Sequence, residues 1–284
     1  MSRKIIALVD GSIYSQSVCE HAAWVAQRSG WAVELLHVLG RREGAEKADY
    51  SGSIALGART ALLEELAELD AQRARLVSHR GRAILEDARA VLDGAGINEI
   101  TTRLRHGDIV DTVAEQEAGT EMILIGKRGE AADFARGHLG SNLERIVRAS
   151  TKPVFVAARA FKPITRVLIA YDGGASAMRA VEHVARTPLY RDLQVSVVTV
   201  GNPSDAVHKQ LSDAKAALQA AGVAAEADIV TGQAETALAK LVEAAPFDMV
   251  IMGAYGHSRI RSLIIGSTTT EMIRSCKVPI VLVR

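Results

Sequence analysis

Short, nearly unbroken apolar runs recur along the chain: ALV, VELLHVL, MILIG, VFVAA, VLIAY, VSVVTV and MVIMG. A strand with one wet face alternates apolar and polar residues, whereas a central parallel strand covered on both faces reads as a continuous run. These runs, with further short β-rich stretches between amphipathic segments, predict strands near 4–9, 32–39, 99–105, 121–126 and 153–158, and again near 166–171, 193–200, 223–231, 248–253 and 279–284. Between them, Ser15 to Arg28, Ile109 to Ala118, Ala175 to Ala185 and Ala234 to Ala244 return apolar residues every three or four positions, the helical period. Alternating β and α elements predict a doubly wound parallel sheet with helices on both faces.

The pattern occurs twice. KIIALVDGS (4–12) matches RVLIAYDGG (166–174), EMILIG (121–126) matches DMVIMG (248–253), and the segments after Gly140 and Gly266 match in turn. Asp10 and Asp172 are 162 apart, whereas Gly107 and Gly232 are 125 apart, so the first half carries 37 extra residues between these points. The expected organisation is two tandem α/β/α domains of one type, each with a five-stranded parallel sheet, over 1–160 and 164–284. The linker runs from about Phe161 to Thr165 and contains Pro163. The extra sequence at 40–98 predicts a polar loop over Arg41–Gly57. A long helix follows, striped by Leu62, Leu66, Leu69, Leu76, Ala83, Ala88 and Val91, with Gly81 as a point of bending. That stripe either packs on the sheet or docks a partner.

Composition narrows the function. A chain of 284 residues suits two domains, and 48% hydrophobic residues exclude a disordered chain. Lys+Arg 34 against Asp+Glu 33 argues against an obligate nucleic-acid binder, which needs a basic face, while leaving room for a local basic loop, and 4% aromatics argue against a stacking platform for single strands. No apolar run approaches 18 residues, and the run after Lys4 meets Asp10, so neither a membrane span nor a signal-peptide core is expected. Two cysteines make no disulfide framework, and the expected location is the cytoplasm.

The most informative string is Gly253-Ala-Tyr-Gly256, nine residues, then Gly266-Ser267. It leaves an apolar strand and ends where a helix begins. Glycines let backbone approach a ligand, and N–H groups at a helix start attract phosphate. Ser267, Thr268 and Thr269 add hydroxyl donors; His257 and Arg259 lie in the loop and offset phosphate charge. Asp172 closes the first strand of its half, where an acid accepts hydrogen bonds from ribose hydroxyls or caps the Asp-Gly turn.

Gly253, Gly256, Gly266, Ser267 and Asp172, with Met252 ahead of the first glycine, resemble the G-x2-G-x9-G-(S/T) pattern of the universal stress protein family, in the adenine-nucleotide α-hydrolase-like superfamily. The resemblance covers nearly the whole chain and implies strand order 3-2-1-4-5 in each domain. It also implies an adenine nucleotide (ATP, ADP or AMP, with Mg as counter-ion) bound at the switch point. The base would lie against Ala170 and Val200, the ribose on Asp172, and the phosphates on Gly256, Gly266, Ser267 and Thr268. In the first half the matching set is Asp10, Val38, Gly126, Gly129, Gly140 and Ser141, but ten residues separate the last two glycines. The altered spacing makes this the weaker expected site. Lys127 and Arg128 either compensate there or are solvated surface charges.

No dinucleotide fingerprint, Walker loop, nucleophile elbow or H-E-x-x-H motif is present, and the eight histidines are scattered, so no metal site is expected. His37, inside a predicted strand, reads as a core residue. A phosphate loop without a general base points to a nucleotide-binding regulatory protein of the stress response; a slow ATP hydrolase and a non-binding adaptor are the alternatives. The resemblance further implies an internal pseudo-dimer, because the terminal strands 154–158 and 278–284 are apolar edges that invite pairing. A homodimer of the whole chain and an unidentified protein partner complete the expectation.

Overall fold

The computed structural model describes residues 3–40, 56–127, 129, 140–244, 247–254 and 267–284. The first half runs β1 (Lys4–Leu8), α1 (Ser15–Ser29), β2 (Ala32–Leu39), α2 (Leu56–Gly94), β3 (Ile100–His106), α3 (Ile109–Gln116), β4 (Thr120–Gly126), α4 (Ser141–Ala149) and β5 (Val154–Ala157). The second runs β6 (Arg166–Ala170), α5 (Ala175–Arg186), β7 (Gln194–Val200), α6 (Asp205–Ala220), β8 (Ala225–Val230), α7 (Ala234–Ala244), β9 (Met249–Gly253), α8 (Ser267–Ser275) and β10 (Ile280–Val283). Every strand expected from the sequence is present, with ends moved by a residue or two.

The ten strands form one sheet in the order β3-β2-β1-β4-β5-β10-β9-β6-β7-β8. Each half therefore has the expected 3-2-1-4-5 order, and the second is laid down in reverse. All pairings are parallel except β5 with β10, which are antiparallel with Val156, Phe155 and Val154 opposite Ile280, Val281 and Leu282. Both junction strands are buried at every position, so two apolar edges are covered by each other.

Two cores follow, one on each face of the sheet, and each runs through both halves. On one face α1, the end of α2, α5 and α6 contribute Val18, Leu85, Leu92, Val181 and Leu211. On the other, α3, α4, α7 and α8 contribute Val113, Ile146, Leu238 and Met272. His37 is a core residue as read, 6% exposed, with Nδ1 2.7 Å from the Val9 carbonyl oxygen. Glu34 departs from the apolar reading of β2. It is 2% exposed and held by Lys4 at 2.9 Å and Arg103 at 3.1 Å from the two flanking strands.

α2 corrects two expectations. It continues through Gly81 without a break. A Cβ at Gly81 would lie 2.7 Å from Leu104 Cδ1, so the glycine permits close packing on the sheet instead of bending the helix. The apolar stripe also divides. Of its residues Ala88 is buried beside Leu85 and Leu92, Ala83, Val91, Leu62 and Leu66 are half-buried, and Leu69 and Leu76 are exposed. The expected 41–57 loop lies outside the described residues except for its last two positions, which are already helical.

Candidate functional site

In a doubly wound sheet, the strand order reverses between the first and fourth strands, and their carboxyl ends diverge into a crevice. Here β1 and β4 are hydrogen-bonded neighbours, and so are β6 and β9. In the first half the crevice is a cavity of about 970 Å³. All six residues expected for a site there, Asp10, Val38, Gly126, Gly129, Gly140 and Ser141, line it. They come from the ends of β1, β2 and β4, from the loop after β4, and from the start of α4.

The floor is apolar, with Leu8, Val9, Leu36, Ile125 and Leu143. Asp10 sits at the mouth of β1 in a side-chain turn. Its Oδ1 accepts from Ser12 N at 3.0 Å and from Ser15 Oγ at 3.3 Å, and Gly11 takes φ 75° to let the chain enter α1. The turn role and the cavity role are thus combined in one residue. A Cβ on Gly129 would meet Asp10 Oδ2 at 2.8 Å, so the loop backbone lies directly against the acid and a side chain there would displace the carboxylate. Gly140 caps α4, whose first residues, Ser141 and Asn142, also line the cavity. A helix N-terminus facing a cavity carries a partial positive charge suited to phosphate.

Sequence reasoning missed Asp108 and Arg145, both on the cavity wall. Asp108 caps α3 by accepting from Val110 N at 2.9 Å and Asp111 N at 3.4 Å. Arg145 Nη2 donates to Asp108 Oδ2 at 2.6 Å, and this guanidinium, with help from the two backbone donors, holds the Asp108 carboxyl below its ordinary range. The sequence signal for Asp108 was an acid between a glycine and an apolar helical run; Arg145 had none. Lys127 is not among the residues that line the cavity. Its Nζ donates to the carbonyl of Cys276 in the other half. Arg128 lies outside the described residues.

The second half repeats the turn. Asp172 Oδ1 accepts from Gly174 N at 2.8 Å, and Gly173 takes φ 76°. Ala170 and Met252 are cross-strand partners at the ends of β6 and β9, and with Val200 they pack in the same core cluster. Gly253 has a packing role: a Cβ there would come within 2.7 Å of the Ala177 nitrogen and of Ser176 in the first turn of α5. α8 begins at Ser267. Thr268 donates to Glu235 Oε1 at 3.4 Å, and Thr269 is buried. Gly256, His257, Arg259 and Gly266 lie outside the described residues. Among the described residues no group of three potential ligands could hold a metal ion, and no helix is long and apolar enough to cross a membrane.

Known proteins share this arrangement. The model of the universal stress protein family matches residues 1–158 and 203–284. A universal stress protein of Synechocystis sp. is 37% identical over 99% of this chain and 100% of its own length. The crystal structure of a universal stress protein from Archaeoglobus fulgidus superposes with a TM-score of 0.74 at 21% identity, covering 100% of this chain and 99% of its own. One from Pseudomonas aeruginosa, described as a putative universal stress protein, gives 0.59 at 14%, covering 99% and 93%. Full-length identity to a family member, the family match in both halves and the mirrored five-strand order agree, and the chain belongs to the universal stress protein family.

Proposed function

We propose that the protein is an adenine-nucleotide-binding regulatory protein of the stress response, acting in the cytoplasm. The observation that carries the reading is the switch-point cavity, with Asp10 set against the Gly129 backbone and the α4 N-terminus on the opposite wall. That combination suits a ribose hydroxyl beside an acid and phosphates on backbone N–H groups. The apolar floor beside Val38 suits a base. The second half presents the same turn at Asp172 and keeps the nine-residue glycine spacing, so ATP binds there more tightly than in the first half. Magnesium fits as an ion carried by the phosphates, since Mg²⁺ needs only one or two protein carboxylates when phosphate oxygens complete its shell.

Hydrolysis is outside the proposal. Asp108 is tied to Arg145 and kept ionised, which makes it a weak proton acceptor. The test is calorimetry of the purified protein with ATP, ADP and AMP, beside release of co-purified nucleotide by heat. Gly256→Val should remove most of the heat, and Gly129→Val the weaker remainder. No binding of any of the three nucleotides by the folded wild-type protein overturns the reading.

A further inference from the structure

The first half of α2 leaves the body of the protein. Packing on the sheet begins at Gly81 and continues through Leu85, Ala88 and Leu92. Before that point Leu69 and Leu76 are 55% and 71% exposed, and Leu62 and Leu66 are half-buried, on a helix of 39 residues, about 58 Å long. Leu62, Leu69 and Leu76 recur at intervals of seven, with Leu66 four residues after the first. These leucines fall on the core positions of a heptad seam that Arg73 and Arg80 complete, a pattern in which polar core positions fix register.

Charge along the same segment is polarised. Glu64, Glu65, Glu68 and Asp70 fall in 62–72, which holds no Lys or Arg; Arg73, Arg75, Arg80 and Arg82 fall in 73–82, which holds no acid. A helix complementary to this one must be basic first and acidic second in the opposing direction. The segment itself, turned end for end, has that pattern. A parallel pair would stack Arg73 on the partner's Arg73 and set Glu65 beside the partner's Asp70, both repulsive. An antiparallel pair with its twofold axis near residue 71 sets Leu66 against the partner's Leu76. It also lays Arg73 over the partner's Leu69 with its guanidinium beside the partner's Asp70. Such a contact is isologous and closes at two copies. It runs about 28 Å over 62–80, with the two sheets at opposite ends. An anionic membrane, the other surface that takes amphipathic helices, would repel the acidic part.

We propose that a second copy of this chain docks on residues 62–80 of α2, giving a homodimer held by an antiparallel helix pair. Light scattering of the full chain at micromolar concentration should return twice 30.3 kDa. Asp70→Arg and Arg73→Asp should each raise the dissociation constant by about tenfold or more, as expected for charge reversal beside an apolar seam. The double variant Asp70→Arg/Arg73→Asp should restore dimerisation, since the pattern is again self-complementary. Gln72→Cys, beside the axis, should oxidise to a covalent dimer, the native Cys19 and Cys276 being buried. Circular dichroism should show all variants folded, because these positions are exposed. A monomeric wild type overturns the proposal. So does a dimer that neither single variant weakens, or one that the double variant fails to restore.

Discussion

Phe155→Ala tests whether the two halves share one core. Phe155 is fully buried in β5, in register with Leu124 on β4 and Val281 on β10, and its ring centroid lies 5.3 Å from that of His21. Truncation removes the ring from a wall to which both halves contribute. Fully buried Phe→Ala changes cost about 3–5 kcal/mol, the lost transfer energy plus a cavity that rigid strands cannot close. With a urea slope of about 3 kcal/mol/M, the midpoint should fall by about 1–1.7 M. The assay uses two probes. Both tryptophans, Trp24 and Trp31, lie in the first half, so fluorescence reports that half alone. Far-ultraviolet circular dichroism reports the whole chain. Because the core beneath β5 and β10 is continuous, both probes should shift together. A fluorescence shift with half of the dichroism signal left at the wild-type midpoint would refute a shared core. A shift worth less than about 1 kcal/mol would refute the packing argument.

Three further outcomes are expected. Glu34→Leu removes the buried member of the cluster and leaves Lys4 and Arg103, 20% and 40% exposed, to be solvated, so it should cost about 1–2 kcal/mol by urea unfolding; a cost above about 3 kcal/mol would show that water does not reach the two cations. Burial lowers the His183 pKa to about 4, so the native state stays neutral while the unfolded state takes a proton below 6.5. Stability should therefore drop by up to about 1.4 kcal/mol per pH unit between 6.5 and 4, and His183→Gln should flatten that dependence in pH-resolved unfolding. Arg145→Gln should return the Asp108 carboxyl toward its ordinary range, read by a carbon-detected NMR titration; an unmoved titration would mean that the backbone donors alone set it.

Local pattern alone determined a great deal. Strands buried on both faces need continuous apolar runs, so the eight inner strands could be read to within a residue or two at most ends, and the half-exposed edge strands β3 and β8 followed from the repeated β-α alternation. The two-fold repetition made the fold class legible, and the family resemblance supplied the strand order and so placed Asp10, Gly129 and Ser141 in one crevice, which they line. What local pattern could not carry are facts that depend on which distant atoms meet. The antiparallel join of β5 and β10 depends on two edges finding each other across more than a hundred residues. The Asp108–Arg145 pair is 37 residues apart, and neither charge differs in type from a solvated one. Lys127 reads in sequence as a compensating or a solvated charge, and its bond to the Cys276 carbonyl, 149 residues away, is visible only in the fold. Gly253 reads as ligand backbone, and only the fold shows that it also makes room for α5. A helical stripe likewise states that one face is apolar without stating how far the sheet beneath it extends. That extent ends at Gly81, and only the tertiary structure shows that the leucines before it stand clear of the sheet.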